Sequence, residues 1–198
     1  MNYLGYNFES FSGTMTENEY INMIDILEEI KPKRICELGS GQSTNIFETY
    51  CDKYNAKLYS IEHDENYKRK NTILLPFIDE ETFINIKGHI YNSCNKYDNF
   101  EEWLEQQDKF DFVLIDGPIG WDFRELYKYS RIQVLSFLFL NKISDNAYVL
   151  YHDSERNNAK TTLNEFERLL NEYKYIFDKQ IINDIPELTI YKINKIKE

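Results

Sequence analysis

The segment Arg34–Thr44 constrains the fold of this chain more than any other part of the sequence. It has the pattern of a short apolar strand over residues 34–38, a turn with Gly39 and Gly41, and then the start of a helix. A strand changes into a helix this abruptly where glycine supplies a positive φ or lets a ligand approach the backbone. The free N–H groups of the new helix can then bind a small molecule. We therefore predict a ligand-binding turn here.

The rest of the chain alternates between predicted strands and predicted helices. The predicted strands cover 34–38, 57–61, 82–86, 110–115, 146–151, 175–182 and 188–193, and the predicted helices cover 16–30, 44–54, 67–75, 99–105, 123–140 and 159–173. Such alternation implies parallel strands with helices on both faces, and the consecutive strands at the end imply an antiparallel last strand. We predict a Rossmann-like three-layer α/β/α sandwich with a mostly parallel seven-stranded sheet.

Length and charge limit the kind of protein. The chain has 198 residues, which suits one domain, and we expect residues 1–15 to form an N-terminal loop or lid. A formal net charge of −11 argues against a nucleic-acid partner, because such proteins usually show a basic patch. Neither a signal peptide nor a membrane-spanning run is evident, which predicts a cytoplasmic protein without a membrane partner. The apolar run 134–140 is core or, if exposed, the face of a homodimer.

Polar or glycine residues follow five of the predicted strands. These residues are Glu37 with Gly39 and Gly41, Glu62 with His63, Gly88 with His89, Asp116 with Gly117, and His152 with Asp153. In an open sheet of this kind, ligands bind outside the carboxyl ends of the strands. The sequence therefore predicts one site at this edge of the sheet.

The charge at the first strand end discriminates between two cofactors. A nicotinamide dinucleotide needs a third glycine where this chain has Thr44, and Glu37 would repel its pyrophosphate. S-adenosylmethionine carries an ammonium and a sulfonium group and no phosphate, so a carboxylate at this position suits it. Glu62 follows the second strand, where a carboxylate can accept hydrogen bonds from the ribose hydroxyls. We predict S-adenosylmethionine as the cofactor.

Three motifs resemble those of a known family. They are E-L-G-S-G-Q-S-T at 37–44, S-I-E-H-D at 60–64 and D-F-V-L-I-D-G-P at 111–118. In this order and at these spacings, the motifs resemble the class I S-adenosylmethionine-dependent methyltransferases, in particular the small O-methyltransferase-like families. The resemblance covers roughly residues 12–195, and the order of elements is similar as well.

The resemblance implies a set of cofactor contacts. They are Glu37, Gly39, Ser40, Gly41, Ser43 and Thr44 around the methionine moiety, Glu62 at the ribose, His63, Gly88 and His89 at the adenine, and Asp116 with Gly117 beside the transferred methyl group. Methyl transfer also requires an acceptor atom roughly 3 Å from the methyl carbon and a way to remove its proton.

The catalytic candidates are Asp116, His152 and Asp153, and two hypotheses about them stay open. Some O-methyltransferases hold a divalent metal with carboxylates at these strand ends, which here implies a metal between Asp116 and Asp153. In the other hypothesis, His152 is the general base.

The acceptor is predicted only as a class. Arg131 and Arg156 would neutralise an anionic acceptor, and Trp121 and Tyr151 would stack on a ring. We predict a methyltransferase that acts on a small polar acceptor at oxygen, such as a sugar or a phosphate-type metabolite. The alternatives are a nicotinamide-dependent oxidoreductase and a non-catalytic cofactor-binding module.

Overall fold

A central sheet of seven strands organises the protein in the computed structural model, which describes residues 1–10, 14–86, 88–118, 128–184 and 186–196. The strands are β1 (Asn2–Tyr3), β2 (Tyr6–Asn7), β3 (Arg34–Leu38), β4 (Lys57–Glu62), β5 (Thr72–Leu74), β6 (Phe77–Ile86), β7 (His89–Tyr97), β8 (Phe110–Ile115), β9 (Ile143–His152), β10 (Tyr175–Ile182) and β11 (Leu188–Lys195). The helices are α1 (Glu17–Ile30), α2 (Gln42–Tyr54), α3 (Phe100–Glu105), α4 (Gln133–Phe139) and α5 (Asn157–Glu172).

The order of strands in the main sheet is β10-β11-β9-β8-β3-β4-β5. Neighbours from β9 to β5 are parallel, whereas β11 is antiparallel to both of its neighbours. The predicted mostly parallel sheet with an antiparallel last strand is therefore confirmed. Because β3, β4, β8 and β9 are adjacent and parallel, their carboxyl ends lie along one edge.

Helices cover both faces of the sheet. Alternate residues of β8 separate the two cores: Phe112 and Leu114 pack with α1 and α2, while Val113 and Ile115 pack with α4 and α5. The first turn of α1 carries a capping box, in which the Thr16 hydroxyl accepts from the Glu19 backbone N–H. None of the described helices has the length and apolar character needed to cross a membrane.

The segment after β4 differs from its prediction. Residues 67–75 form no helix, because a short 3₁₀ turn over Glu65–Tyr67 leads into β5, the edge strand beside β4. The apolar residues of a segment this short suit helix and strand alike, and the open edge of β4 decides between them. The predicted strand 82–86 belongs instead to the hairpin of β6 and β7, which pair only with each other among the sheets described.

One further boundary was wrong, that of the helix before β9. The predicted helix 123–140 is present as α4, which begins only at Gln133, and residues 119–127 lie outside the described part of the chain. Residues 1–10 of the predicted N-terminal lid form the small hairpin of β1 and β2. Its residues Tyr6 and Phe8 are buried in the core with α1 and α2, which gives this hairpin a structural role.

Candidate active site

The ends of β3 and β8 touch through two glycines. Gly39 has a φ of +93°, and its N–H donates to the carbonyl of Ile61 at 2.8 Å. A Cβ on Gly39 would lie 2.7 Å from the backbone nitrogen of Gly117, and a Cβ on Gly117 would lie 2.3 Å from the hydroxyl of Tyr97. Neither position therefore has room for a side chain. Gly41 differs, because a Cβ there would meet nothing within 4 Å.

Glu37 lies fully buried beneath the glycine turn. Its carboxylate accepts hydrogen bonds from the hydroxyls of Ser43 at 2.5 Å, Thr44 at 2.8 Å and Ser60 at 2.6 Å. The Thr44 hydroxyl in turn accepts from the N–H of Gly41 at 2.8 Å. Burial raises the pKa of Glu37 to about 7, although the three hydroxyls act in the opposite direction. Glu37 is thus a buried acid whose hydrogen-bond partners are all neutral.

Glu62 joins the glycine turn to the end of β4. Its carboxylate accepts from the backbone N–H groups of Ser40 at 2.9 Å, His63 at 2.7 Å and Asp64 at 3.0 Å. Burial opposes ionisation, but the hydrogen bonds from His63, Asp64 and Ser40 outweigh it and lower the pKa of Glu62. Nδ1 of His63 also lies 2.7 Å from Oε1, so Oε2, which accepts one backbone N–H, is the oxygen with capacity for a ligand hydroxyl.

The base of the β6–β7 hairpin adds aromatic residues beside His63. The ring centroid of Phe77 lies 5.2 Å from that of His63, and the centroid of Tyr97 lies 6.2 Å from it. Sequence reasoning missed Phe77 because it began this strand at Thr82, and it missed Tyr97 because it predicted no strand over residues 89–97. Alternation in the longer strand offered no sharp boundary that would have revealed them.

Gly88 and His89 lie at the other end of the hairpin. They form its tip, where His89 packs on Phe139 with ring centroids 4.6 Å apart. Phe139 ends α4 and precedes the start of β9, whereas the site residues follow the end of β9. The prediction that Gly88 and His89 follow a strand of the main sheet was therefore wrong, because these two residues only reverse a separate hairpin.

A compact group of charged side chains lies at the ends of β8 and β9. The Nδ1 atom of His152 is 2.8 Å from Oδ1 of Asp116. Nη2 of Arg131 is 2.9 Å from Oδ2 of Asp153 and 3.4 Å from Oδ1 of Asp116, and Nη2 of Arg156 is 2.9 Å from Oδ1 of Asp153. The side chain of Asp116 is 28% exposed and that of Arg131 only 4%. Asp116 is therefore the carboxylate of the group that a ligand can reach.

His152 lies between two carboxylates. Its Nε2 is 3.7 Å from Oε2 of Glu19, on the side opposite Asp116. Burial would lower the pKa of His152, but the charge of Asp116, with contributions from Glu19 and Asp153, raises it to about 10. The imidazole therefore keeps its proton at neutral pH. An imidazolium has no lone pair with which to accept a proton, which argues against His152 as the general base.

Glu19 is a site residue that sequence reasoning missed. Its Oε2 accepts the backbone N–H of Thr16 at 2.7 Å, as a capping box requires, and the same atom faces His152. Its other oxygen, Oε1, has no hydrogen-bond partner, and neither does Nε2 of His152. The only signal in the sequence was the T-x-x-E pattern, which predicts a helix start and nothing about a site.

Known structures of similar fold include several methyltransferases. The SAH-bound methyltransferase PaMTH1 of Podospora anserina matches with a TM-score of 0.58 and 14% identity over 93% of this chain and 80% of its own. The O-methyltransferase from Bacillus cereus in complex with SAH matches with a TM-score of 0.58 and 10% identity over 93% and 84%. The SAM complex of TomG, an O-methyltransferase from Streptomyces achromogenes, matches with a TM-score of 0.58 and 10% identity over 91% and 82%.

The chain therefore has the class I methyltransferase fold. No protein-family model matches the sequence, and no curated protein matches it significantly. At such low identities, the likeness to solved structures establishes the fold alone.

The residues that this fold would use for a metal do not fit one here. The ligand atoms of Asp116, His152 and Asp153 lie within 4.8 Å of one another, which by distance alone suits a metal ion. The guanidinium of Arg131 already contacts both carboxylates, and the charged imidazole of His152 contacts Asp116. A divalent ion would have to displace two buried cations, so the donor set favours the internal ion pairs.

The predicted acceptor-binding residues differ in their environments and in their exposure. Tyr151 is fully buried in the core with α4 and α5, and its hydroxyl donates to the carbonyl of Ser130 at 2.8 Å. The prediction that Tyr151 stacks on an acceptor was therefore wrong. Trp121 lies outside the described residues. Arg131 already pairs with the carboxylates of Asp116 and Asp153, while the side chain of Arg156 is 29% exposed and stays a predicted acceptor contact.

Proposed function

We propose that this protein is an S-adenosylmethionine-dependent methyltransferase that methylates a hydroxyl group of a small, polar and uncharged acceptor. The proposal divides the site in two. The donor half consists of the ends of β3 and β4 with Glu37 and Glu62, and the acceptor half consists of the ends of β8 and β9 with their charged group. The observation that carries the proposal is the buried carboxylate of Glu37, which only neutral groups hold in place.

The donor half favours a cationic ligand. Glu37 accepts hydrogen bonds from three neutral hydroxyl groups, which leave its negative charge uncompensated. Glu62 accepts from backbone N–H groups and lies beside the imidazole of His63. S-adenosylmethionine brings an ammonium and a sulfonium group to such a place. The pyrophosphate of a nicotinamide dinucleotide would meet like charge there, which disfavours the oxidoreductase alternative. The contacts of Ser40, Gly41, Ser43 and Thr44 with the methionine moiety form part of the proposal.

The acceptor half favours an uncharged ligand. Among the described residues, the negative groups Glu19, Asp116 and Asp153 face the positive groups Arg131, His152 and Arg156. The charges of these six groups balance, so each cation that the structure describes in this half already has a carboxylate beside it, which disfavours a phosphate or a sugar acid. This balance narrows the predicted sugar- or phosphate-type acceptor to a neutral, sugar-like hydroxyl.

Asp116 is the residue that we assign to the acceptor hydroxyl. Burial opposes its ionisation, but the charge of His152 outweighs burial and lowers the pKa of Asp116. Asp116 therefore stays ionised, accepts the hydrogen bond of the hydroxyl and turns a lone pair of the oxygen toward the donor half. S-adenosylmethionine, when bound, supplies an activated methyl group. Because the oxygen becomes far more acidic as it gains the methyl group, even a carboxylate of low pKa can take its proton.

Isothermal titration calorimetry with S-adenosylmethionine and S-adenosylhomocysteine tests the donor half. We expect both to bind, and Glu62→Ala should weaken binding by about tenfold or more, because charged hydrogen bonds contribute about 1.5 to 3 kcal/mol. Glu65→Ala, on the exposed 3₁₀ turn of the same loop, is the matched control and should bind like the wild type. Absence of binding of both ligands at millimolar concentration would refute the proposal, and binding of NADH instead would favour the oxidoreductase.

A further inference from the structure

We propose that Arg131 is the resident cation of the acceptor half, a positioning residue whose guanidinium holds Asp116 and Asp153 where related folds would use a divalent metal. The inference rests on the proposed function for its catalytic meaning. In this role, the guanidinium of Arg131 holds the two carboxylates in place, as a bound metal ion would.

The geometry places one nitrogen of Arg131 between the two carboxylates. Nη2 lies 2.9 Å from Asp153 and 3.4 Å from Asp116. These two aspartates follow adjacent parallel strands, β8 and β9, and Arg131 precedes α4. A single cation at this point therefore ties together the loops after both strands.

The guanidinium is fixed by further bonds. Nη1 donates to the carbonyl of His152, and Nε donates to the carbonyl of Pro118 at 3.4 Å. The backbone of Arg131 has a φ of +48° and that of Asp153 a φ of +59°, conformations that residues other than glycine adopt at a cost. Because these two residues also form an ion pair with each other, we infer that the surrounding contacts hold both backbones in these conformations.

Among the residues that the structure describes, the charges around the centre balance. The charged groups that face it are Glu19 from α1, Asp116 after β8, His152 and Asp153 at the end of β9, Arg156 before α5, and Arg131 itself. A divalent ion would add two positive charges to a balanced set and would compete with Arg131 for the same oxygens. The acceptor therefore meets the carboxylate of Asp116 directly, and one hydroxyl suffices for binding, whereas a chelating pair of hydroxyls gains no advantage.

Titration of the wild type with Mn²⁺ alone tests the inference directly. Water-proton relaxation reports bound Mn²⁺, and the measurement is made with and without S-adenosylhomocysteine. We expect no specific binding at millimolar Mn²⁺ in either case. Stoichiometric binding that Asp153→Asn abolishes would overturn the inference.

Removal of the guanidinium should convert the centre into a metal site. In Arg131→Met, the ligand atoms of Asp116, His152 and Asp153 lose their resident cation, so we expect a lower melting temperature and new Mn²⁺ binding that partly restores it. Arg131→Lys keeps a charge but loses the planar fork, and its melting temperature should lie between the two. An Arg131→Met protein with wild-type stability and no affinity for Mn²⁺ would overturn the inference.

The matched control is Arg168→Met. Arg168 also pairs with two carboxylates, those of Glu165 and Glu172, but its side chain is 49% exposed and lies on the surface of α5. This variant should melt like the wild type and gain no Mn²⁺ binding. If Arg131→Met does not fold, the Mn²⁺ titration of the wild type and the melting temperature of Arg131→Lys still test the role of Arg131.

The two proposals fail separately. Absence of S-adenosylhomocysteine binding would refute the proposed function and leave the Mn²⁺ result unchanged. Specific Mn²⁺ binding by a wild type that also binds S-adenosylhomocysteine would overturn the role of Arg131 alone.

Discussion

The donor half and the acceptor half contain similar numbers of carboxylates but satisfy them in opposite ways. In the donor half, the fully buried Glu37 accepts hydrogen bonds from neutral hydroxyl groups, and Glu62 accepts from backbone N–H groups beside the imidazole of His63. In the acceptor half, Asp116 and Asp153 lie against guanidinium and imidazolium groups. One edge of the sheet therefore presents a region with uncompensated negative charge beside a region that is electrically balanced.

This difference shows how one edge of a sheet can select two ligands of unlike charge. A neutral donor satisfies the geometry of a buried carboxylate but leaves its charge available to a cation, whereas an arginine satisfies both. The donor half is thus suited to a sulfonium and ammonium compound, and the acceptor half is suited to a hydroxyl. Three measurements sharpen or break this comparison.

The largest effect is expected at the contact between the halves. In Gly39→Ala, the new Cβ would clash with the backbone of Gly117 at a residue whose φ is +93°. Overpacking and backbone strain should together lower the free energy of unfolding by about 2 to 4 kcal/mol, measured by urea denaturation. Gly41→Ala is the control, because its Cβ meets open space, so stability should change by less than about 0.5 kcal/mol. Its Cβ should nevertheless weaken binding of S-adenosylhomocysteine. Equal stability of the two variants would contradict the described contact.

The next effect is the dependence of stability on pH in the acceptor half. The pKa of His152 is raised from 6.5 to about 10 on folding, so its stabilising contribution is complete below 6.5 and is lost as the pH rises through about 10. The free energy of unfolding of the wild type should fall across this window. In His152→Asn, the fall should be smaller by roughly 2 to 3 kcal/mol, as chemical denaturation at several pH values will measure.

His89→Asn is the control for this series, because His89 lies at the tip of the β6–β7 hairpin. Buried tyrosines with raised pKa values, such as Tyr20 and Tyr50, add a slope of the same sign near the alkaline end, so the difference between variant and wild type is the quantity to compare. If His152→Asn retains the full slope of the wild type, His152 is not a charged bridge between Glu19 and Asp116.

The smallest effect concerns the charge of Glu37 in the donor half. Burial raises the pKa of Glu37 to about 7, and a cationic ligand favours the ionised form. The affinity for S-adenosylmethionine should therefore increase by several-fold, at most about tenfold, as the pH rises from about 6 to 8. Calorimetry at several pH values measures this change, and Glu37→Gln should remove it. Constant affinity in the wild type would show that the ligand does not sense this carboxylate.

Much of the fold follows from local patterns. Strand β3 has its predicted bounds, and T-x-x-E placed the start of α1, because these features depend on neighbouring residues. The contacts within the glycine turn were likewise predictable, since Glu37, Gly39 and Thr44 all belong to one short motif. The contact between Ser40 and Glu62 joins two motifs across adjacent parallel strands, whose pairing the alternation implies.

The acceptor half was harder to predict because the roles of its residues depend on contacts between segments that are distant in the sequence. Arg131 looked like a ligand-binding residue, and only the fold shows that Asp116 and Asp153 already occupy its guanidinium. Glu19 had a sufficient local explanation as a capping residue, which concealed its contact with His152. The predicted helix over 67–75 was wrong for a similar reason, because pairing with the edge of β4, rather than the local sequence, determines the conformation of β5.

The contact between Gly39 and Gly117 also bears on how this protein could be redesigned. Because backbone meets backbone there, no side chain separates the two halves that a library could enlarge or trim. The backbone contact therefore fixes the distance between the donor half and the acceptor half. Laboratory evolution toward new acceptors should leave this seam alone and vary Arg156 instead, whose side chain is 29% exposed.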